Sequence, residues 1–349
     1  MEIIHKFLNL VAPPFTFFSL CFLLPPLYTF RFFLFALTSI ISEDLAGKVV
    51  LITGASSGIG EYLAYEYARR GACLALVARR EASLREVADR AHDFGAPDVA
   101  VIPADVSKVD DCKRLVNETI NHYGRLDHLV NNAGIHSICK FEDVTDVITF
   151  RAVMDTNYWG SVYTTRFAVP YLRNSRGKIV VLSSSASWLP APRTSFYNAS
   201  KAALSSMFET LRVELGPEIG ITIVTPGFIE SELTRGKYWS REGKLEVDRD
   251  MRDVLVGMMP VGLAEGCAKS IVNSACRGDR YLTEPSWFKA TYLWKVFCPE
   301  LVEWSYRMMF LASPGAPPTE APSKKMVDLL GAKKLLYPGT IQTPEVKTD

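Results

Sequence analysis

The chain has 349 residues and a mass of 38.9 kDa, room for about two average domains or one large α/β domain with additions. Its 39 Lys and Arg balance 38 Asp and Glu, leaving a net charge of +1 that excludes the basic surplus of a nucleic-acid binder. Apolar residues at 48% against 22% charged exclude wholesale disorder, and a mean hydropathy of +0.09 is high enough that the apolar excess must be concentrated somewhere.

That place is the N-terminus. Phe7 to Phe30 is a run of 24 residues without a charge, and after Arg31 the uncharged stretch continues from Phe32 to Ile41. A secretory signal peptide has a shorter apolar core and a small-residue cleavage site, neither of which is present. A helix of about 24 residues would be ~36 Å long and could cross a bilayer. Two proline pairs, Pro13-Pro14 and Pro25-Pro26, bracket ten residues that would span only ~15 Å as helix. Two short apolar arms suit a hairpin in one leaflet or in the monolayer of a lipid droplet; a single kinked span is the alternative. Either way, residues 1–42 read as a membrane anchor, with 7–41 in the lipid.

Apolar β-branched runs then alternate with helical patterns. Strands are predicted at 49–53, 73–78, 99–102, 128–130, 178–182 and 221–224, with helices over 59–70, 81–94, 109–123, 156–172 and 195–215. Such alternation predicts βαβ units and a doubly wound parallel sheet covered on both faces, over residues 43–285. After Pro226 the alternation stops, and 228–260 reads as a lid or substrate loop. Residues 286–312 form an aromatic segment that either packs on the domain or lies at a membrane interface, with packing favoured. The tail over 313–349 opens with Pro314, Pro317, Pro318 and Pro322 and reads as largely disordered. Seven cysteines without a C-x-x-C pair and five scattered histidines give neither a disulfide framework nor a metal-ligand spacing, which suits a cytosol-facing domain.

Three local patterns carry chemistry. Thr53-Gly54-Ala55-Ser56-Ser57-Gly58-Ile59-Gly60 follows the first strand, and a glycine turn opening a helix lets backbone N–H groups approach a pyrophosphate. The second strand ends in Ala78-Arg79-Arg80, where an NAD site would place a carboxylate; two arginines suit the 2′-phosphate of NADP. Tyr197 and Lys201 stand one helical turn apart, so an ammonium can stabilise a phenolate. Ser184 lies thirteen residues before Tyr197 at a strand end, Asn157 in the preceding helix, and Asn131-Asn132-Ala133-Gly134 closes the strand before that.

This set, in this order, resembles the short-chain dehydrogenase/reductase family over roughly residues 47–285. The resemblance implies a Rossmann-type fold and an alcohol/ketone oxidoreductase in which Tyr197 is the acid/base and Ser184 binds the substrate oxygen. It further implies that Lys201 holds the nicotinamide ribose and lowers the Tyr197 pKa, while Asn157 positions a relay water. The cofactor would be NADP(H), held by Gly54, Ser56, Ser57, Gly58, Ile59, Gly60, Arg79, Arg80, Asp105, Val106, Asn132, Ala133, Gly134, Tyr197 and Lys201. Pro226, Gly227, Ile229 and Ser231 would lie beside the nicotinamide amide, Ser231 standing where the family has Thr. The proline-knob anchor joined to this domain, with phrases such as Asp155-Thr-Asn-Tyr-Trp-Gly-Ser-Val-Tyr163 and Thr283-Glu-Pro-Ser-Trp-Phe288, is similar to the plant steroleosins, oil-body hydroxysteroid dehydrogenases. That similarity implies a steroid or sterol substrate, a hairpin anchor in the lipid-droplet monolayer reached through the endoplasmic reticulum, and a cytosolic domain. The alternatives are a dehydrogenase of another apolar alcohol (retinol, a long-chain alcohol or a sphingoid base) and a lipid-droplet coat or sterol-sensing protein. A homodimer is compatible with it, since family members often pair through the helices after Asn157 and Ser195.

Overall fold

The computed structural model describes residues 1–40 and 43–342, with the backbone alone for 34–40. The chain divides into two units, 1–43 and 44–349. The first is one helix, α1 (Glu2–Ile40), which runs through both proline pairs. The hairpin expectation is therefore not met. Each internal proline removes one helical donor but keeps a helical φ, and Thr29 donates its hydroxyl to the Pro25 carbonyl at 2.9 Å. Glu2–Phe33 is long and apolar enough to cross a membrane and is compatible with an anchor. Positions 41–42 of the expected anchor lie outside the described residues.

The second unit follows the predicted alternation. In chain order it runs β1 (Val49–Thr53), α2 (Gly58–Arg69), β2 (Cys73–Ala78), α3 (Glu81–Asp93), β3 (Val99–Pro103), α4 (Val109–Tyr123) and β4 (His128–Asn131). A short α5 (Arg151–Met154), a π turn over Asp155–Trp159 and α6 (Gly160–Ser175) lead to β5 (Lys178–Leu182), α7 (Ser195–Leu215) and β6 (Gly220–Pro226). The strands form a parallel sheet in the order β3-β2-β1-β4-β5-β6, extended at its edge by β9 (Tyr281–Glu284). Alternate strand residues serve opposite faces. Val50 and Ile52 pack with α2 and α3, whereas Val49 and Leu51 pack with α4, α6 and α7. The chain reverses its direction of travel across the sheet between β1 and β4, where such folds bind ligands beyond the strand ends.

The alternation does not stop at Pro226. A small antiparallel pair, β7 (Lys237–Trp239) and β8 (Leu245–Val247), and α8 (Arg249–Val256) precede α9 (Ala264–Arg277), which leads into β9. The buried face of α9 combines Ile271 and Val272 with small Ala and Cys residues that let it press closely on α2. The edge strand β9 is half exposed, so it lacks the continuous apolar run of its neighbours. The aromatic segment folds into α10 (Lys289–Phe297) and α11 (Pro299–Phe310). Phe288 and Val302 are buried against Leu189, while Trp294, Phe297 and Trp304 remain exposed, so packing accounts for only one side of it.

The tail is ordered up to Gln342, contrary to the sequence reading; its last seven positions, 343–349, lie outside the described residues. It forms α12 (Pro322–Leu329), α13 (Lys333–Leu336) and α14 (Gly339–Gln342). Val327, Tyr337 and Ile341 are buried, Tyr337 donates to the Gly257 carbonyl at 2.9 Å, and Arg252 donates to the Ile341 carbonyl at 2.9 Å. Only a few anchoring side chains do this, too sparse a pattern to stand out among prolines and lysines. Tyr337→Ala should cost about 3 kcal/mol and lower the midpoint of a thermal melt by several degrees. An unchanged midpoint would mean that the tail does not support the domain.

Candidate active site

The glycine turn is shaped by close approach. Gly54 and Gly58 take left-handed φ values of +67° and +59°, and a Cβ on Gly54 would stand 2.7 Å from Ala133 Cα. A Cβ on Gly60 would overlap the Gly54 carbonyl oxygen and the Asn132 side-chain amide. Asn132 ties the turn to β4, donating from Nδ2 to the carbonyls of Thr53 (2.9 Å) and Gly54 (3.1 Å). Thr53 Oγ1 accepts from the backbone N–H of Asn132 (3.0 Å) and Ala133 (3.2 Å). Thr53 thus belongs to the cradle, although its sequence position gave it no role.

A single cavity brings together the expected residues. Gly54, Ser56, Ser57, Gly58, Ile59, Arg79, Arg80, Asp105, Val106, Asn132, Ala133 and Gly134 line it, as do Ser184, Tyr197, Lys201, Pro226, Gly227, Ile229 and Ser231. Gly60 and Asn157 lie behind the wall. The Asn157 side chain is fully committed: Oδ1 accepts from Ile135 N–H (2.8 Å), and Nδ2 donates to the Ile135 carbonyl and to Ser200 Oγ, each at 2.9 Å. Ser200 in turn donates to the Tyr197 carbonyl at 2.7 Å. Asn157 therefore joins the segment after β4 to α7.

Tyr197 and Lys201 project from one face of α7 into this cavity, with Lys201 Nζ 5.8 Å from the Tyr197 ring centre. Nζ donates to the Leu182 carbonyl at 2.8 Å, which fixes the ammonium beside the end of β5. Burial pushes the Tyr197 phenol up to about 12 against a smaller opposing hydrogen bond from Ser184, and pulls Lys201 down to about 8. The lowering expected from Lys201 is thus not met among the chain's own groups: burial, which disfavours the charged phenolate, dominates, and only the Ser184 hydrogen bond opposes it.

Several lining residues escaped the sequence reading. His136 is buried with its ring centre 4.1 Å from that of Tyr197 and its Nδ1 without a partner; burial holds it neutral, near 3. As a lone histidine it showed no pattern. Glu232, Lys237 and Tyr238 come from the stretch read as a lid or substrate loop, in which no single residue was singled out. Phe288, Thr291, Tyr306 and Phe310 arrive from the aromatic segment, and Trp188 Nε1 donates to Thr291 Oγ1 at 3.1 Å, holding that segment over the substrate end.

Residues 48–241 match the family described as short chain dehydrogenase. The chain is 64% identical over the full length of both chains to 11-beta-hydroxysteroid dehydrogenase A of Sesamum indicum. It is 63% identical, again over the whole of both, to 11-beta-hydroxysteroid dehydrogenase 1A of Arabidopsis thaliana. A crystal structure of a short-chain type dehydrogenase/reductase from Mycobacterium marinum superposes with a TM-score of 0.61 at 28% identity, covering 69% of this chain and 94% of that one. The cradle leaves room for a dinucleotide where side chains would otherwise stand, and the polar groups at its far end suit an alcohol oxygen. The chain belongs to the short-chain dehydrogenase/reductase family, the NAD(P)-binding oxidoreductases that act on CH–OH groups.

Proposed function

We propose that the protein is an NADP-dependent hydroxysteroid dehydrogenase acting at the lipid-droplet surface, with its catalytic domain in the cytosol. The observation that carries this reading is one continuous cavity. It joins the glycine cradle and the Arg79-Arg80 pair to Ser184, Tyr197 and Lys201, and ends in an apolar wall that includes Leu189, Met259, Phe288, Tyr306 and Phe310. Relatives sharing nearly two-thirds of the sequence carry the hydroxysteroid dehydrogenase name. The apolar α1, with its side chains exposed to Phe33, supports attachment to a lipid surface where such substrates concentrate.

Bound NADP supplies the hydride acceptor for oxidation, and NADPH the donor for reduction. The chain's residues do the rest. Ser184 and Tyr197 grip the substrate oxygen and orient the carbon that bears it. Tyr197 Oη takes the hydroxyl proton in oxidation and returns it in reduction, while Lys201 stabilises the phenolate. The apolar wall keeps water from the reacting carbon and selects a hydrophobic alcohol.

Turnover by the full chain should be compared on an 11β-hydroxysteroid, a 17β-hydroxysteroid, retinol and a long-chain alcohol, each with NADP and NAD. Steroid oxidation favouring NADP is the expected result; activity confined to retinol or the chain alcohol would retain the chemistry and discard the steroid. Arg79→Asp should shift the NADP-to-NAD ratio of kcat/KM toward NAD by about 10- to 100-fold, the worth of one charge-assisted contact exchanged for repulsion. An unchanged ratio would remove Arg79 from the 2′-phosphate site. Deleting residues 1–41 should release the protein from droplets in a flotation assay; continued flotation would place the lipid contact on the exposed face of α10 and α11 instead.

A further inference from the structure

The two arginines after β2 differ in their surroundings. Arg79 is exposed at the rim of the cavity and makes no ion pair among the described residues. Arg80 is held. Its guanidinium forms a fork on Glu232, Nη1 to Oε1 at 2.6 Å and Nη2 to Oε2 at 3.2 Å, and Nη2 also meets Ser57 Oγ (3.0 Å) and Ser56 Oγ (3.2 Å). The side chains of Arg80 and Glu232 are only 14% and 19% exposed, so the attraction is little screened by solvent. Glu232 is also placed firmly: its carbonyl accepts from Lys237 N–H at 3.0 Å, and the turn it sits in abuts the glycine cradle, Ser231 Cβ lying 3.1 Å from where a Gly58 Cβ would be.

We infer that Glu232 is a specificity-determining residue that competes with the cofactor's 2′-phosphate for Arg80 and thereby sets how strongly NADP is preferred over NAD. The inference rests on the proposed NADP reading of Arg79-Arg80. A 2′-phosphate arriving beside Arg79 meets a second guanidinium already neutralised by a carboxylate, and engaging it requires that the fork open. Glu232 can yield because another cation is close by, Lys237 Nζ standing 3.7 Å from Oε2. A ribose 2′-hydroxyl carries no charge to contend for Arg80, so NAD leaves the fork intact. The carboxylate thus lowers NADP affinity selectively.

The test is equilibrium binding to the full-length protein, followed by intrinsic fluorescence or calorimetry, with NADP, NAD, 2′,5′-ADP and 5′-AMP as probes. Glu232→Gln should tighten NADP and 2′,5′-ADP about tenfold while NAD and 5′-AMP change by less than twofold; tenfold corresponds to about 1.4 kcal/mol. Glu232→Asp, which keeps the charge on a shorter arm, should fall between Gln and wild type. In an Arg80→Met background, which by itself weakens NADP, the gain from Glu232→Gln should vanish. Equal tightening of NADP and NAD, no tightening, or a gain that survives Arg80→Met would overturn the competition. If instead wild type shows no NADP preference and Arg80→Met leaves NADP affinity unchanged, the cofactor reading itself fails and the inference falls with it. That outcome is distinct from an Arg80-dependent preference that Glu232→Gln does not move.

Discussion

Tyr197→Phe is expected to lower kcat in both directions by about 10³-fold, within the range for loss of a positioned acid/base, while leaving the Kd for NADP within about twofold of wild type. The phenyl ring preserves the shape of a buried position and its tilted contact with the His136 ring, and removes only the hydroxyl that meets Ser184. The pH dependence has a definite sign. With the phenol pushed up to about 12, Tyr197 is protonated at neutral pH and ready to donate, so reduction is favoured there. Oxidation needs the phenolate and should rise as pH increases, whereas reduction should fall. Lys201, drawn down to about 8, loses its charge well below the pH at which the phenol ionises, so it can support phenolate only in the lower part of the range. Lys201→Met should therefore lower oxidation most below about pH 8, where the wild-type side chain is still charged. Stopped-flow and steady-state assays of both variants between pH 6 and 10 are the check; near-wild-type turnover by Tyr197→Phe would remove this residue from the chemistry.

Much of the candidate site was legible because its signals are local. Tyr197 and Lys201 lie one helical turn apart, the glycines follow an apolar strand directly, and β1, β2, β5, α4 and α7 begin and end where the patterning puts them. What the sequence concealed is carried by long-range contacts. Glu232 meets Arg80 across 152 positions of chain, and no periodicity links them. His136 gains its setting from Tyr197 and Tyr238, neither near it in sequence. The tail was misread for the same reason, since its prolines and lysines suggest disorder while Tyr337 and Ile341 find cover against Val256, Val261 and Phe228, far away in sequence. The proline pairs misled in the opposite direction: they are strong local breakers in water, yet α1 continues through both. The Tyr197 pKa is a similar lesson. Proximity to Lys201 could be read from spacing, but the burial that raises the phenol could not.

Two glycine substitutions on helices should have opposite outcomes. Gly60→Ala should reduce stability by at least the ~3 kcal/mol at the upper end of overpacking costs, and weaken NADP binding by about 100-fold or more. The new methyl would fall on the Gly54 carbonyl and the Asn132 side chain, both rigid: the first is backbone, and the second is held by two hydrogen bonds. Relief requires α2 to move away from β4, which spreads the cradle and turns its N–H groups off the pyrophosphate position. Gly266 lies on the first turn of α9 at an exposed position, has no atom within 4 Å of a built Cβ, and does not use a left-handed φ. Gly266→Ala should raise stability by about 0.5–1 kcal/mol by restricting the unfolded chain and favouring helix. Thermal melts with and without NADP separate the two effects. For Gly60→Ala the midpoint should fall and the upward shift on adding cofactor should disappear, whereas for Gly266→Ala the midpoint rises and the shift is retained. A Gly60→Ala protein that still gained its full cofactor-induced shift would show that the cradle tolerates a side chain there, and that the tight contact between Gly60 and Gly54 is not what shapes the binding site.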